Sequence, residues 1–352
     1  MKPLLEVRGL TVKLPTEHGW VCPVNDVSLR VAAGECLGLV GESGSGKTML
    51  SLALMGLLPA GARVDGEASL GAVDGIENAS NGGQRDVSRK NLVTLTEEAL
   101  RTLRGREIAM IFQEPMTSLN PVMRVGAQVE EAIRAHYPRI AAALARKGML
   151  EALRLAAVPE PEERAKQYPH QLSGGLRQRV MIAMAIAAGL ADLSTGQKNP
   201  GGGSFKPRLL IADEPTTALD VTVQKEILEL LQKLRRELGL GLLFITHDLG
   251  VVAQVADRVV VMYAGRVVEE GGAKHVLGAP QHPYTQGLLA ASPKLQRGKL
   301  TPIPGSVPKL TALPPGCAFE PRCGVRREEC SAAVPNLRAA NADQRARCIL
   351  VG

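Results

Sequence analysis

Residues 35–58 read ECLGLVGESGSGKTMLSLALMGLL. The first six form a short apolar run closed by a turn signal, which predicts a strand over 35–40. The last ten are apolar and helix-favouring. Between them, Gly41, Glu42, Ser43, Gly44, Ser45, Gly46, Lys47 and Thr48 fill the pattern G-x-x-x-x-G-K-[ST] at every position. Strand, glycine loop and helix, in that order, let backbone N–H groups and a helix terminus cup a phosphate chain. Gly44 and Gly46 permit the tight curl this needs, Lys47 brings a point charge to the β- and γ-phosphates, and the Thr48 hydroxyl can ligate Mg²⁺. The reading is an α/β fold of the P-loop type that takes ATP or a similar triphosphate with Mg²⁺.

Further along, RLLIADEP (208–215) predicts a buried strand that ends on two acids. A carboxylate at Asp213 can hold Mg²⁺ opposite the phosphate loop. Glu214 is placed to orient or deprotonate an attacking water. An Asp-Glu pair at a strand end is common on solvated surfaces, and so is a lone histidine after a strand. The pair and His247, which closes the next predicted strand LLFITHD (242–248), carry weight because they follow the loop in a fixed order. EIAMIFQ (107–113) predicts another strand, 96–103 a helix, and 125–190 is dominated by helical periodicity. A helix over 221–238 has Ile227, Leu230, Leu231, Leu234 and Leu238 on one face. DRVVVMYAGRVVEEG (257–271) reads as a hairpin turning at Ala264-Gly265.

YPHQLSGGLRQRVMIAMA (168–185) places two adjacent glycines at the start of a helix, a second phosphate-binding terminus. LSGG at 172–175 resembles the signature motif of ABC-type ATPases. In that family the signature of one subunit (here Ser173, Gly174 and Gly175) closes over ATP on the P-loop of another. One P-loop and one signature per chain thus imply a dimer. The resemblance extends to Gln113 as the Q-loop glutamine, which contacts Mg²⁺ and the attacking water, to Asp220 in TTALD as the D-loop residue, and to His247 as the switch histidine. For the aromatic that stacks on adenine, Trp20 is the candidate, with His18 at a fitting distance as the alternative. The fold implied is a RecA-like core with an antiparallel β subdomain and a helical signature subdomain at about 116–192. The ATPase domain would span 1–274, and an irregular cysteine-containing extension 275–352.

Four longer stretches resemble the ATP-binding subunit of bacterial dipeptide and oligopeptide importers, in particular the member that pairs with a second, related ATPase. They are FQEPMTSLNPVMRVGAQV (112–129), the signature stretch, HPYTQGLLAASP (282–293), and IPGSVPKL with LPPGCAFEPRC in the tail. This resemblance implies an ATP hydrolase that powers peptide import, partnered by that second ATPase or a second copy of itself, two membrane permeases and an external binding protein. Importers of nickel or glycosides share the architecture. A soluble ABC ATPase of translation or DNA repair is the competitor from another class, but such chains carry two ATPase halves or long coiled coils. Leu176 stands where many signatures have Gln, and apolar residues are frequent there in this subfamily.

The remaining features set bounds. The 352 residues are 45% hydrophobic and 22% charged, enough to build a core, and the net charge of +7 is spread without a basic block. Aromatics at 3% argue against binding single-stranded nucleic acid on stacked rings. The N-terminal residues alternate like a strand, and the longest apolar run, 180–190, is too short to cross a bilayer. The expectation is a cytoplasmic protein held at the inner face of the bacterial plasma membrane by its partners. Polar stretches at 71–88 and 194–205 read as surface insertions outside the usual pattern.

Six cysteines are present, and four of them, Cys317, Cys323, Cys330 and Cys348, lie near the C-terminus. Cys22 and Cys36 read as small buried hydrophobes. The four are separated by five, six and seventeen residues, which lacks the tight zinc knuckle and misses the ferredoxin spacings. Spacing alone supports a four-thiolate metal site. The subfamily resemblance implies a [4Fe–4S] cluster on these four, as a staple for a proline-rich tail with little core of its own.

Overall fold

The structure is a computed structural model that describes residues 3–17, 19–71, 90–195, 207–293, 295 and 300–351. His18 and almost all of the two insertions (72–88 and 196–205) lie outside the described residues. The chain opens with two long antiparallel strands, β1 (Leu5–Thr16) and β2 (Gly19–Val31), and then enters the interior as β3 (Cys36–Val40). After the helix Lys47–Met55 it returns through β4 (Arg63–Leu70) and the short β5 (Lys90–Asn91). These build a four-stranded antiparallel sheet in the order β2-β1-β4-β5. The later strands are β6 (Ile108–Ile111), β7 (Leu209–Asp213), β8 (Gly241–Thr246), β9 (Arg258–Tyr263), β10 (Arg266–Gly272), β11 (Arg338–Ala339) and β12 (Gln344–Ala346). They join β3 in an eight-stranded sheet ordered β11-β12-β10-β9-β3-β8-β7-β6. From β9 to β6 that sheet is parallel.

Every residue of β3, β7 and β8 is buried. Their runs CLGLV, LLIAD and GLLFIT do not alternate with polar residues, as expected of parallel strands covered on both faces. Leu37 and Leu39 face a core shared with Leu5, Leu10 and Val27 of the antiparallel sheet. Cys36 and Val40 face the other core, which takes in Val180, Ile227 and Leu231 of the helices. Cys36 is fully buried, and burial pushes its thiol up to about 12, so it serves as an apolar core residue.

The helical region resolves into helices Val125–Arg134, Ala142–Leu155 and Gly174–Thr195 packed on one another, broken by a 3₁₀ turn at Pro169–Gln171. Pro169, at the first position of that turn, ends the preceding periodicity. The helix Val221–Leu238 has the predicted bounds. Ile227, Leu230, Leu231 and Leu234 are buried and Leu238 packs at the core edge. The hairpin turns where predicted, with Ala264 at φ 45° and Gly265 at φ 83°, the two positive values of a type I′ turn.

Among its described residues the tail builds no large core of its own. It adds β12 to the edge of β10, and Tyr284, Leu289 and Phe319 enter the same core as Val261 and Tyr263.

Candidate functional site

Parallel strands bring their carboxyl ends to one edge, where α/β sheets bind ligands. In-register pairing of Val40 with Thr246, Asp213 with Ile245, and Ile111 with Ala212 aligns these ends. The loop 41–48 follows β3, Gln113 lies just past β6, Glu214 directly follows β7, and His247 directly follows β8. Residues far apart in sequence therefore meet because the strands are neighbours.

Gly46 has φ 102°, and a side chain there would bring Cβ within 1.9 Å of the Pro23 carbonyl, so only glycine fits. Lys47 is buried, and its Nζ donates to the carbonyls of Gly41 (2.8 Å) and Glu42 (3.0 Å) and to Ser45 Oγ (3.3 Å). Burial lowers its pKa, opposed by the charges of Glu214, Asp213 and Glu42. The ammonium thus lies folded against the oxygens of its own loop.

Asp213 is 1% exposed. Its Oδ2 lies 3.5 Å from Ser51 Oγ, and the Thr48 hydroxyl also bonds the carboxyl. Oδ1 is buried with no hydrogen-bond partner among the described residues. Burial raises the pKa of this carboxyl, and the Thr48 bond works against it. An orphaned carboxylate oxygen beside a threonine hydroxyl suits a hard divalent cation with oxygen ligands, so the donors present fit Mg²⁺.

Three donors converge on one oxygen of Glu214: Thr217 Oγ1 at 2.8 Å, Gln113 Nε2 at 3.3 Å and His247 Nδ1 at 3.3 Å. The His247 bond, first, and Thr217 hold Glu214 below the usual carboxylate range, while Glu214 raises His247. Glu214 has φ 47°, a strained value for a non-glycine residue that costs on the order of 1–3 kcal/mol. Its N–H donates to Ile245 O (2.9 Å) and its carbonyl accepts from Thr217 N–H (3.2 Å), which fixes the turn. Thr217 was not picked out from the sequence, although its place three residues after Glu214 in the same turn could have marked it.

This pair sets a pH dependence. Through the raised His247, its stabilisation is fully present below the unfolded histidine value of about 6.5 and fades as pH rises through the folded value. Through the lowered Glu214, it is present above about 4.3 and fades as pH falls through the folded value. His247→Ala should therefore lower the unfolding temperature most near pH 5–6, with the gap from wild type closing toward pH 9. A gap independent of pH in thermal melts would contradict this coupling.

The signature residues stand apart from the loop. Ser173 caps the helix Gly174–Thr195, its carbonyl accepting from Arg177 N–H (3.0 Å), and Ser173 and Gly174 are exposed. A side chain at Gly175 would meet Val223 at 2.6 Å, which holds this end against the helix that Asp220 caps. Asp220 itself accepts from Val223 N–H at 3.0 Å. Among the described residues no hydrogen bond joins Ser173, Gly174 or Gly175 to 41–48. Trp20 lies on β2, three residues before Pro23, and is 46% exposed with the Arg63 guanidinium 4.4 Å from its ring centre.

Cys317, Cys323, Cys330 and Cys348 line one cavity together with Phe319, although sequence separates the last by seventeen residues. Burial raises the thiols of Cys317, Cys323 and Cys348, and neighbouring cysteines of the group add to the rise. No three His, Cys, Asp or Glu side chains among the described residues are grouped to hold a single metal ion. The structure therefore supplies no one-ion thiolate site here.

Glu42 makes contacts that the sequence did not foretell. Its carboxylate pairs with Arg322 (2.8 and 3.1 Å), and its N–H donates to Tyr284 Oη (2.8 Å). Both partners sit in stretches quoted above as family-like, HPYTQGLL and FEPRC, but neither stretch carries a chemical pattern pointing to the loop.

The fold and the ordered site at its strand ends define an ATP-binding cassette ATPase. An ABC transporter family model matches residues 24–191, and a model described as oligopeptide/dipeptide transporter, C-terminal region, matches 268–330. The chain belongs to the oligopeptide/dipeptide transporter family of ATP-binding proteins, as near full-length relatives show. A Brucella ovis protein named for peptide import and ATP binding is 47% identical over 99% of this chain and 97% of its own. The oligopeptide transport ATP-binding protein OppD of Haemophilus influenzae is 44% identical over 99% of this chain and 98% of its own. Among solved structures, the dimeric cassette MJ0796 in a post-hydrolysis state bound to ADP and Pi is 27% identical. It aligns with a TM-score of 0.58, covering 76% of this chain and 98% of that one. The chain is thus an ATP hydrolase of the ABC type. No described helix is long and apolar enough to cross a membrane.

Proposed function

We propose that this chain is the ATP-hydrolysing subunit that powers import of dipeptides and oligopeptides, working at the cytoplasmic face of the bacterial plasma membrane. The observation that carries the reading is an ordered ATPase site continuous with a C-terminal region of the oligopeptide/dipeptide type. Relatives named for oligopeptide transport across nearly the whole chain support the substrate class. The division proposed is 1–274 (with a helical part at about 116–192) as the ATPase and 275–352 as the extension, the two sharing one core.

In this reading Gly41 to Thr48 bind the triphosphate, Lys47 turning from the loop carbonyls to the β- and γ-phosphates. Thr48, Asp213 and Gln113 would hold Mg²⁺, which when bound draws charge from the leaving phosphates. Glu214 receives the attacking water. All three side-chain donors occupy Oε2, which leaves Oε1 to accept the water's hydrogen bond, and the lowered pKa keeps the carboxylate ionised. His247 fixes Glu214 and senses the γ-phosphate, and Gln113 ties the same carboxylate to the loop that meets the permease. Trp20 stacks on adenine.

Ser173 and Gly174, exposed on their own subunit, and the half-buried Gly175 would close, with Asp220, over ATP held by a second ATPase. The dimeric state of MJ0796 supports such a pairing. Two permeases and an external binding protein complete the transporter, and peptide would not touch this chain. Cys317, Cys323, Cys330 and Cys348 would hold a [4Fe–4S] cluster, a group that cross-links the tail when bound.

A deletion strain tests the substrate class: loss of labelled tripeptide uptake, restored by the gene, is expected. Undiminished uptake, or co-purification of the protein with ribosomes or DNA in place of membrane permeases, would overturn the reading.

A further inference from the structure

We propose that Arg322, in the C-terminal extension, is a positioning residue of the ATP site, acting on the phosphate loop through Glu42. The proposal rests on 41–48 binding the nucleotide phosphates as described above.

Glu42 lies inside the loop, so an acid stands beside the position that a polyphosphate must occupy. Left alone, its charge would repel the incoming anion and attract Lys47, whose Nζ already bonds the Glu42 carbonyl at 3.0 Å. Arg322 removes both problems. Its guanidinium, 5% exposed at the side chain, makes a two-pronged pair with Glu42 at 2.8 and 3.1 Å. This is the fork geometry in which Arg binds carboxylate best. The guanidinium is itself held in place. Nε donates to Pro304 O at 2.9 Å, and Nη1 lies 3.3 Å from Tyr263 Oη. Tyr284, whose ring centre is 4.5 Å from that of Tyr263, accepts the Glu42 N–H at 2.8 Å.

The loop is therefore gripped from behind, through both its backbone and its acidic side chain, by residues of 263–322. The grip pairs the Glu42 carboxylate with a guanidinium, which offsets its negative charge beside Lys47 and on the loop. Arg322 closes the short turn Glu320–Arg322 directly before Cys323, so it links the cysteine-lined part of the tail to the ATP site. A tail that adds little core of its own thus tunes the chemistry of the nucleotide loop.

The test is a titration of the full-length protein with ATP and Mg²⁺, with a fluorescent ATP analogue as reporter, alongside steady-state hydrolysis. Arg322→Ala should weaken ATP binding and raise KM at least tenfold while kcat falls less than threefold. Arg322→Lys, which keeps the charge but loses the fork, should fall between. Removing the stranded carboxylate should rescue: Glu42→Gln combined with Arg322→Ala should recover most of the affinity lost by Arg322→Ala alone. A purely structural Arg322 would give a double variant as weak as or weaker than the single one, and that result overturns the proposal. Arg322→Ala binding ATP like wild type also overturns it. Wild-type affinity in the same titration reports separately on the loop: ATP binding by wild type with no change in the variants refutes the Arg322 role alone.

Discussion

Glu214→Gln should reduce ATP hydrolysis by 10²–10³ while leaving ATP binding intact. Loss of one preorganised charge-stabilising group typically costs about 2.7–4 kcal/mol in the transition state, which is this range in rate. The substitution keeps the size and one hydrogen-bonding oxygen, so Thr217, Gln113 and His247 retain a partner. What disappears is the ionised oxygen that takes the water's proton. Binding energy that would normally be released by hydrolysis then stays stored in the closed pair of subunits. Light scattering with ATP and Mg²⁺ should show a stable dimer in the variant and a transient one in wild type. Normal turnover in the variant would remove Glu214 from its role.

Cys330→Ser should have the second largest effect, on the tail. Cys330 is buried and lines the cysteine-bearing cavity, and its carbonyl accepts the Cys317 N–H at 2.7 Å. Gly316 approaches so closely that a Cβ there would lie 2.1 Å from that carbonyl. Structural metal sites contribute on the order of 10 kcal/mol to folding. Protein purified without oxygen should therefore contain iron and sulfide in wild type and lose both in Cys330→Ser. In the variant, 275–352 should become the first segment cut in limited proteolysis. Wild type without iron or sulfide would refute the cluster, and a variant with unchanged iron and protease resistance would refute this ligand set.

Much of the candidate site was legible in the sequence because its groups are tied to strand ends. Gly41 to Thr48, Asp213, Glu214 and His247 each end or follow an apolar run, and parallel pairing does the rest. The helix Val221–Leu238 was legible at about these bounds from its apolar face, and in the structure Asp220 caps one end and Gly239, at φ 69°, closes the other. The strand predicted over 107–113 was too long: only Ile108–Ile111 pair, and Gln113 is exposed beyond the edge strand. The helical periodicity of 125–190 did not mark the chain reversals around 135–141 and 156–173, since periodicity reports a buried face and not where a helix turns back.

The contacts of Glu42 were not legible. Arg322 lies 280 residues away in a proline-rich tail that has no periodicity, and only the packing of Tyr263, Tyr284 and Phe319 brings it to the loop. The cysteine group was half legible. Its composition pointed to a site, but the convergence of Cys348 on the other three depends on β12 joining the edge of β10, which no local pattern specifies.

Accumulation of a labelled dipeptide by membrane vesicles carrying the complete transporter, with ATP supplied on the face that exposes this chain, tests the coupling of hydrolysis to import. Uptake is expected to require ATP and Mg²⁺ and to fall to background with Glu214→Gln in this subunit. Undiminished uptake with that variant, or ATP hydrolysis that moves no peptide in the wild-type vesicles, would contradict the account.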